Sequence, residues 1–395
     1  MSVSLPDSAP GRAAQAVLDV LGGAPHELLE PHLDDAMRAL ATPETFAQVR
    51  ERLGAFEVAR VGHHSHVHIV VRLSTSAGAS VLTVWVSPEP PHSIVGAKVD
   101  AVPDGTEWRA VTGESVLHRA HRELELAALA GAVVGCGEPW LAAVGDADEH
   151  SRFSIGSITK TMTAALVQRL VDDGLVALED ELDAIVPDVE VPAGVTVGLV
   201  VDHRAGLVSD APLEGVDDVP GLFAAHPLRL AFEPGSQRAY SNAGYGLLGH
   251  LVATARGCSY GDALRAGVFE PAGMVESGVD ASDVVPGFLS WAGTLAPVAW
   301  RDVAMPGAGA VISTANDMAR YLLAIRDGAV PRAGWNVRGD AVWHNGGWDG
   351  FSAMAWLDLA RRRGSVLLTN TGRVTGQGLL EAFARPLVEE VCGVD

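Results

Sequence analysis

Residues 153–161 read FSIGSITKT, and the architecture turns on two of them. Ser157 stands three residues before Lys160. The chain carries 28 cationic residues, yet only two are lysines, Lys98 and Lys160. Arginine stays protonated in a protein, whereas a buried lysine can lose its proton and act as a base. On a helix, residues i and i+3 meet on one face. Lys160 can then take the Ser157 proton while the serine attacks a carbonyl. The competing reading is an N-cap serine followed by an exposed lysine.

Composition sets the limits. The 395 residues suffice for two domains, and 48% hydrophobic against 19% charged residues is the balance of a globular enzyme. A net charge of −21 argues against nucleic acid and against an anionic membrane as partners. Cys136, Cys258 and Cys392 are an odd set at wide spacing, which predicts neither a disulfide framework nor a zinc site. The first residues, MSVSLPDSAPGRAAQAVLDVLGG, lack a basic segment followed by an apolar run, so no signal peptide is expected. No apolar run is as long as a membrane span. The cytoplasm is therefore the expected compartment.

On the N-terminal side of the opening stretch, TPETFAQVRERLG predicts a helix capped by Thr42 and stopped by Gly54. From Phe56 to Val102 the period changes to two. HVHIVVRL and SVLTVWV alternate around TSAGA, and HSIVGAKV is a further strand. Residues 1–105 thus read as a small α+β domain, helices then antiparallel strands, and residues 106–395 as a second domain. In the second, AGAVVG and PWLAAVG are strands joined by CGE. The helix from Ser157 carries Met162, Leu166, Leu170 and Val171 before Gly174. Strands return at DAVWHNGG, FSAMAWLDL and GSVLLTN, the last two joined through ARRR. A final helix around GLLEAFARPLVEEV holds Pro386 as an expected kink. The second domain is then a split sheet with a helical insert, α+β in class.

A Ser/Lys pair needs a second proton handler and donors for an oxyanion. AYSNAGYGLL supplies Tyr240 and Asn242 just before a helix. A buried tyrosine beside a cationic lysine is expected to have a lowered pKa and to shuttle protons. The competing reading is a packing tyrosine and a capping asparagine. WHNGGWDGF puts His344 at a strand end, followed by Asn345, Gly346 and Gly347. Glycines allow close backbone approach, and their N–H groups can face an oxyanion. The alternative is a plain hairpin or bulge turn.

Ser157-x-x-Lys160, Tyr240-Ser241-Asn242 and His344-Asn345-Gly346 follow in this order, separated by 83 and then 104 residues. The pattern resembles the serine β-lactamase and penicillin-binding-protein family, most closely its class C β-lactamase and DD-peptidase branch. HRAGL at 203–207, FEPGSQRAYSN at 232–242, FEPAGM at 269–274 and GAGAVISTANDMARYL at 307–322 fit too. The resemblance covers roughly residues 114–395. It implies an α+β domain, an antiparallel sheet flanked by helices plus a helical subdomain. It also implies Ser157 as the acylated nucleophile and Lys160 as its base. Tyr240 would serve the leaving group and the deacylating water. Asn242 would position the substrate, and the N–H groups of Ser157 and Gly347 would form an oxyanion hole. His344 stands where many relatives carry lysine, whose fixed charge would meet a substrate carboxylate. Histidine is mostly neutral at pH 7 unless its pKa is raised, and an arginine from elsewhere could substitute.

These residues together predict a serine hydrolase, with no metal and no organic cofactor. The expected substrate is a small-molecule ester or amide. The alternatives are a DD-carboxypeptidase or β-lactamase, an acyltransferase to an acceptor other than water, and a catalytically silent binding homologue. The first domain is expected to be structural, a lid or a dimerisation element, which makes a homodimer an expected assembly. Other signals carry less. GCSYG, Gly257 to Gly261, follows a helical run, so Gly257 reads as a C-cap rather than part of a nucleophile elbow. In HHSHVH, His64, His66 and His68 would share one strand face, most simply a solvated one. His203 reads as structural, and Trp291 and Trp300 as packing residues.

Overall fold

The computed structural model describes residues 5, 7–33, 37–38, 41–64, 68–75, 78–87, 90–102, 115–148, 150–209, 211–213, 218–291, 294–372 and 380–393. The chain separates into two compact units, residues 1–114 with 289–296, and residues 115–288 with 297–395.

In the first unit, helix α1 (Ala9–Leu21) starts at Ser8, whose Oγ accepts the Gly11 N–H. Helix α2 (Pro43–Leu53) starts at Thr42, which accepts the Thr45 N–H at 3.2 Å, and stops at Gly54, whose φ is 65°. Strands β1 (Phe56–His64), β2 (His68–Thr75), β3 (Gly78–Val86) and β4 (Ile94–Val102) form an antiparallel meander in that order. Side chains alternate along a strand. Ile69 and Val71 therefore sit opposite Val84 and Leu82 on the buried face, in one core with Ala13, Val17 and Leu21 of α1. The histidine run is not one strand. His63 and His64 close β1, His68 opens β2, and His66 lies outside the described residues.

The second unit holds helices α3 (Val116–Glu123), α4 (Thr159–Asp172), α5 (Asn242–Arg256), α6 (Ala315–Asp327) and α7 (Glu381–Cys392). The strands of its largest sheet are β5 (Ala128–Val134), β6 (Trp140–Gly145), β7 (Asn336–Arg338), β8 (Ala341–Trp348), β9 (Phe351–Asp358) and β10 (Arg363–Thr369). They form one antiparallel sheet in the order β7-β8-β9-β10-β5-β6. Pairing of β10 with β5, Leu368 opposite Ala130, joins strands from the two ends of the unit.

Both faces of the sheet are covered. Leu129 and Val133 of β5, Met354 of β9 and Leu367 of β10 share a core with Leu117 of α3 and Phe383 and Leu387 of α7. The alternate residues Ala130, Ala132, Ala353, Ala355 and Leu368 join the larger core with Met162 of α4, Leu247 of α5 and Met318 of α6. Pro386 lies inside α7 without ending it. Gly257, with φ 63°, closes α5 as expected of a C-cap.

Helix α4 is buried beyond the apolar face that its sequence displays. Thr159, Lys160, Thr161 and Thr163 are all inaccessible to solvent. Their polar atoms are satisfied. The Thr161 hydroxyl bonds Tyr321 at 2.8 Å, and the Thr163 hydroxyl bonds Tyr260 at 2.6 Å and the Gly307 carbonyl at 2.7 Å. A helix sunk this deep carries its residues into a low-dielectric interior.

The expectation of no disulfide is corrected. Cys136 and Cys392 are bonded, with Cα atoms 5.5 Å apart. Cys136 follows β5 and Cys392 ends α7, 256 residues later. They meet because α7 packs across the sheet that contains β5, which spacing alone does not reveal. A bridge that closes so long a loop contributes about 2–4 kcal/mol. Alkylation in denaturant without reductant is expected to modify Cys258 alone, which is free and exposed. All three cysteines should react after reduction. Three adducts without reductant would show the bridge to be absent. No helix among the described residues is long and apolar enough to cross a membrane.

Candidate active site

Ser157 occupies a single 3-10 turn, Gly156–Ile158, that leads into α4. One turn later the Lys160 Nζ lies 3.0 Å from Ser157 Oγ. Lys160 is 0% exposed, and no side chain caps α4. The reading of a capping serine with an exposed lysine therefore fails. The Lys160 Nζ also donates to the Ala308 carbonyl at 2.5 Å. Burial holds the lysine pKa well below its ordinary value. Burial acts in favour of the neutral amine, the form that can take up a proton.

The Tyr240 hydroxyl donates to Ser157 Oγ at 2.6 Å. The tyrosine is 45% exposed, yet its hydroxyl faces inward to the serine. Desolvation of that end pushes the phenol pKa up, and the bond to Ser157 offsets only part of the rise. The expected lowering by a cationic lysine is corrected here. Desolvation outweighs the lowering by the Ser157 bond and by the Arg238 charge. Ser157 Oγ thus accepts from both the Tyr240 hydroxyl and Lys160 Nζ, and Lys160 donates in turn to the Ala308 carbonyl.

The Tyr240 backbone is held on both sides by His203. The Ala239 N–H donates to the His203 carbonyl at 2.8 Å, and the Ser241 N–H to His203 Nδ1 at 3.1 Å. The imidazole packs against the Tyr240 ring at 4.7 Å and the Tyr245 ring at 4.8 Å. Burial, aided by neighbouring positive charge, lowers the His203 pKa to about 3, which keeps Nδ1 an acceptor. His203 adopts φ 57°, an uncommon conformation for a side chain other than glycine. Sequence reasoning classed it as structural. Its role in placing Tyr240 shows only in three dimensions.

Ser241, not Asn242, caps α5. Its Oγ accepts the Gly244 N–H at 3.0 Å and donates to the Leu207 carbonyl at 2.8 Å. Asn242 follows as the first helical residue, and its side-chain amide makes no hydrogen bond among the described residues. The structure thus gives the capping role to Ser241 and not to Asn242.

Strand β8 passes beside the Ser157 turn. A Cβ on Gly156, whose φ is 49°, would lie 2.6 Å from the Gly347 nitrogen, and one on Gly346 would lie 3.2 Å from the Ser157 nitrogen while colliding with the Ile155 carbonyl. The Ser157 and Gly347 amides are thus brought close by two glycines that no side chain could replace. Side-chain alternation puts His344 and Gly346 on one face and Asn345 on the other. The structure accordingly does not place the Asn345 side chain with the serine. His344 is 3% exposed, and its Nδ1 pairs with the Asn345 carbonyl at 2.6 Å. Burial lowers its pKa to about 4 against that bond, so it carries no charge at pH 7. Of the two expected packing tryptophans, Trp300 lies edge-on to Phe351, and the Trp291 side chain is outside the described residues.

The sequence pattern of the Beta-lactamase family matches residues 118–334. Penicillin-binding protein 4 of Amycolatopsis lactamdurans is 34% identical over 136 residues, 32% of this chain and 36% of its own. Penicillin-binding protein 4* of Bacillus subtilis is 26% identical over 276 residues, 56% of this chain and 61% of its own. The D-alanyl-D-alanine-carboxypeptidase/endopeptidase AmpH of Escherichia coli is 30% identical over 185 residues, 42% of this chain and 47% of its own. The chain thus spans less than two thirds of the length of these relatives. A class C beta-lactamase in complex with cefoxitin shares the fold, with a TM-score of 0.62 at 18% identity over 70% of this chain and 96% of that one. The octameric penicillin-binding protein homologue from Pyrococcus abyssi does so with a TM-score of 0.61 at 20% identity, over 70% and 76%.

Proposed function

This chain belongs to the beta-lactamase family, and from that premise we propose that it is a serine hydrolase that forms an acyl-enzyme at Ser157. The carrying observation is a fully buried Lys160 within 3.0 Å of Ser157 Oγ. The substrate class we assign is a small-molecule ester or amide.

In acylation, Ser157 Oγ bonds to the acyl carbon and its proton passes to the Lys160 lone pair. The carbonyl electron pair moves onto oxygen, and the amides of Ser157 and Gly347 donate to it. The ammonium that forms lies 4.8 Å from the Tyr240 ring centroid and 5.8 Å from that of Tyr245, where the ring faces stabilise it. Collapse breaks the bond to the leaving group, which takes the Tyr240 proton. The proton held by Lys160 then restores the phenol. Water repeats the sequence on the acyl-enzyme, releasing the acid and regenerating Ser157. The net change is ester plus water to acid plus alcohol. Asn242, with its uncommitted amide, holds the substrate beside the serine.

The names of the curated relatives support a second reading, a peptidase acting on D-alanyl termini. The bridge between Cys136 and Cys392 supports an oxidising compartment over the expected cytoplasm. For the first unit we keep an accessory role. Turnover of p-nitrophenyl butyrate that disappears in Ser157→Ala tests the hydrolase reading. Equal turnover by the variant would end it. Retention of a labelled penicillin by the wild type would favour the peptidase reading.

A further inference from the structure

Strand β8 leaves one large side chain without a role. Trp348 ends the strand, one residue beyond Gly347. By alternation its indole lies on the face of Gly346, the face turned to the Ser157 nitrogen. Two residues along a strand span about 7 Å, so the indole stands just past the oxyanion donors. Phe351, its register partner on β9, is buried in the larger core, and Trp300 lies edge-on to it at 5.9 Å. Trp348 belongs to neither core of the unit, and its ring meets no other ring among the described residues.

Trp348 is half-buried and fixed at one point, where Nε1 donates to the Arg301 carbonyl at 2.9 Å. The Trp300 Nε1 donates to Asp302 at 3.0 Å. With both N–H groups committed, what the two indoles offer a ligand is ring hydrocarbon. The segment that anchors Trp348 runs on from Arg301 to Ala308, whose carbonyl accepts from Lys160. Where the two halves of a substrate go follows from Tyr240. Arg238 ties the Tyr240 segment to the Asn336 side chain at 3.3 Å, and Asn336 pairs with Trp343, next to His344. Tyr240 thus approaches from the His344 end of β8, and a leaving group that takes its proton departs on that side. The acyl group, fixed by the Ser157 and Gly347 amides, extends the other way, past Gly347 to Trp348.

We propose that Trp348, flanked by Trp300, forms an apolar wall for the acyl group, so that the enzyme prefers donors with longer uncharged aliphatic acyl chains over acetyl donors. The assignment rests on the serine-hydrolase reading. An acetyl group would still reach Ser157 but would leave the indole facing water. A longer chain covers the ring and removes its own apolar surface from solvent.

p-Nitrophenyl acetate and p-nitrophenyl hexanoate share a leaving group and differ only in acyl chain length. A fully buried methylene is worth about fourfold and a half-covered one about twofold. Wild-type kcat/KM is then expected to be about 15-fold or more higher on the hexanoate. Trp348→Ala should lower the hexanoate-to-acetate ratio about tenfold, and Trp348→Phe should retain most of it. A disturbed strand would slow both esters alike, so the ratio reads the wall and not the fold. A wild-type ratio near one, or an unchanged ratio in Trp348→Ala, overturns the proposal and leaves the serine chemistry standing. If wild type turns over neither ester, binding decides. Equilibrium dialysis of the hexanoate ester against Ser157→Ala, with and without Trp348→Ala, isolates it. Binding that weakens at least about fivefold without Trp348 upholds the wall, and only the hydrolase reading falls. Binding indifferent to Trp348 overturns the wall as well.

Discussion

Lys160→Arg is expected to cut kcat/KM on a neutral ester by about 10³-fold, at the scale of a general base and with no rescue at high pH. Arginine keeps the charge and loses the base. Lys160→Met, closer in volume and without charge, should lose activity to the same extent. In the wild type the neutral amine is the active form, so kcat/KM should rise with pH through the depressed lysine pKa and then level. Neither histidine of the site contributes a step between pH 5 and 8, because burial lowers His203 to about 3 and His344 to about 4. The same pKa shift has a stability consequence. Between the folded and unfolded lysine pKa values the unfolded chain binds the proton and the folded one does not. The contribution of Lys160 to stability therefore falls as pH drops across that window, and below the folded pKa the loss is complete. Lys160→Met removes this dependence. The difference in Tm between variant and wild type should move in the variant's favour as pH falls from 10. A variant with wild-type turnover, or a pH profile unchanged in Lys160→Arg, would remove Lys160 from the reaction.

The second large effect is expected at Gly346. A methyl there would meet the Ile155 carbonyl and push β8 away from the Ser157 turn. The donors contributed by Ser157 and Gly347 would then separate. Loss of one oxyanion donor costs about 10²–10³ in kcat, and Gly346→Ala should lose on that scale. Ser157 should remain in place on the turn before α4, and slow. Gly346 pairs with Ala353 inside the sheet, so Tm should fall as well. A reading of kcat by burst and steady-state kinetics distinguishes the two losses, since the folded fraction lowers the burst amplitude while a displaced oxyanion donor lowers the rate. Wild-type rates in a folded Gly346→Ala would mean that the close approach of β8 is irrelevant to the chemistry.

Much of the fold is written locally. Period-two runs mark β8, β9 and β10, and Thr42 and Gly54 mark the ends of α2. The spacing of Ser157 and Lys160 is local too, and a single helical turn fixes their meeting. What stayed hidden depends on parts brought together from afar. The Ala308 carbonyl that orients Lys160 lies 148 residues away, and the ring of His203 that flanks Tyr240 lies 37 positions before it. The pKa direction of Tyr240 depends on how deeply its hydroxyl is buried, which no spacing encodes. The Cys136–Cys392 bridge likewise needs the whole sheet in place.

The most direct test is to incubate the folded protein with a fluorophosphonate and read the intact mass and the modified peptide. The account predicts one adduct, on Ser157, absent in Ser157→Ala and slowed in Lys160→Arg. No adduct on folded protein, or an adduct that persists in Ser157→Ala, would contradict it.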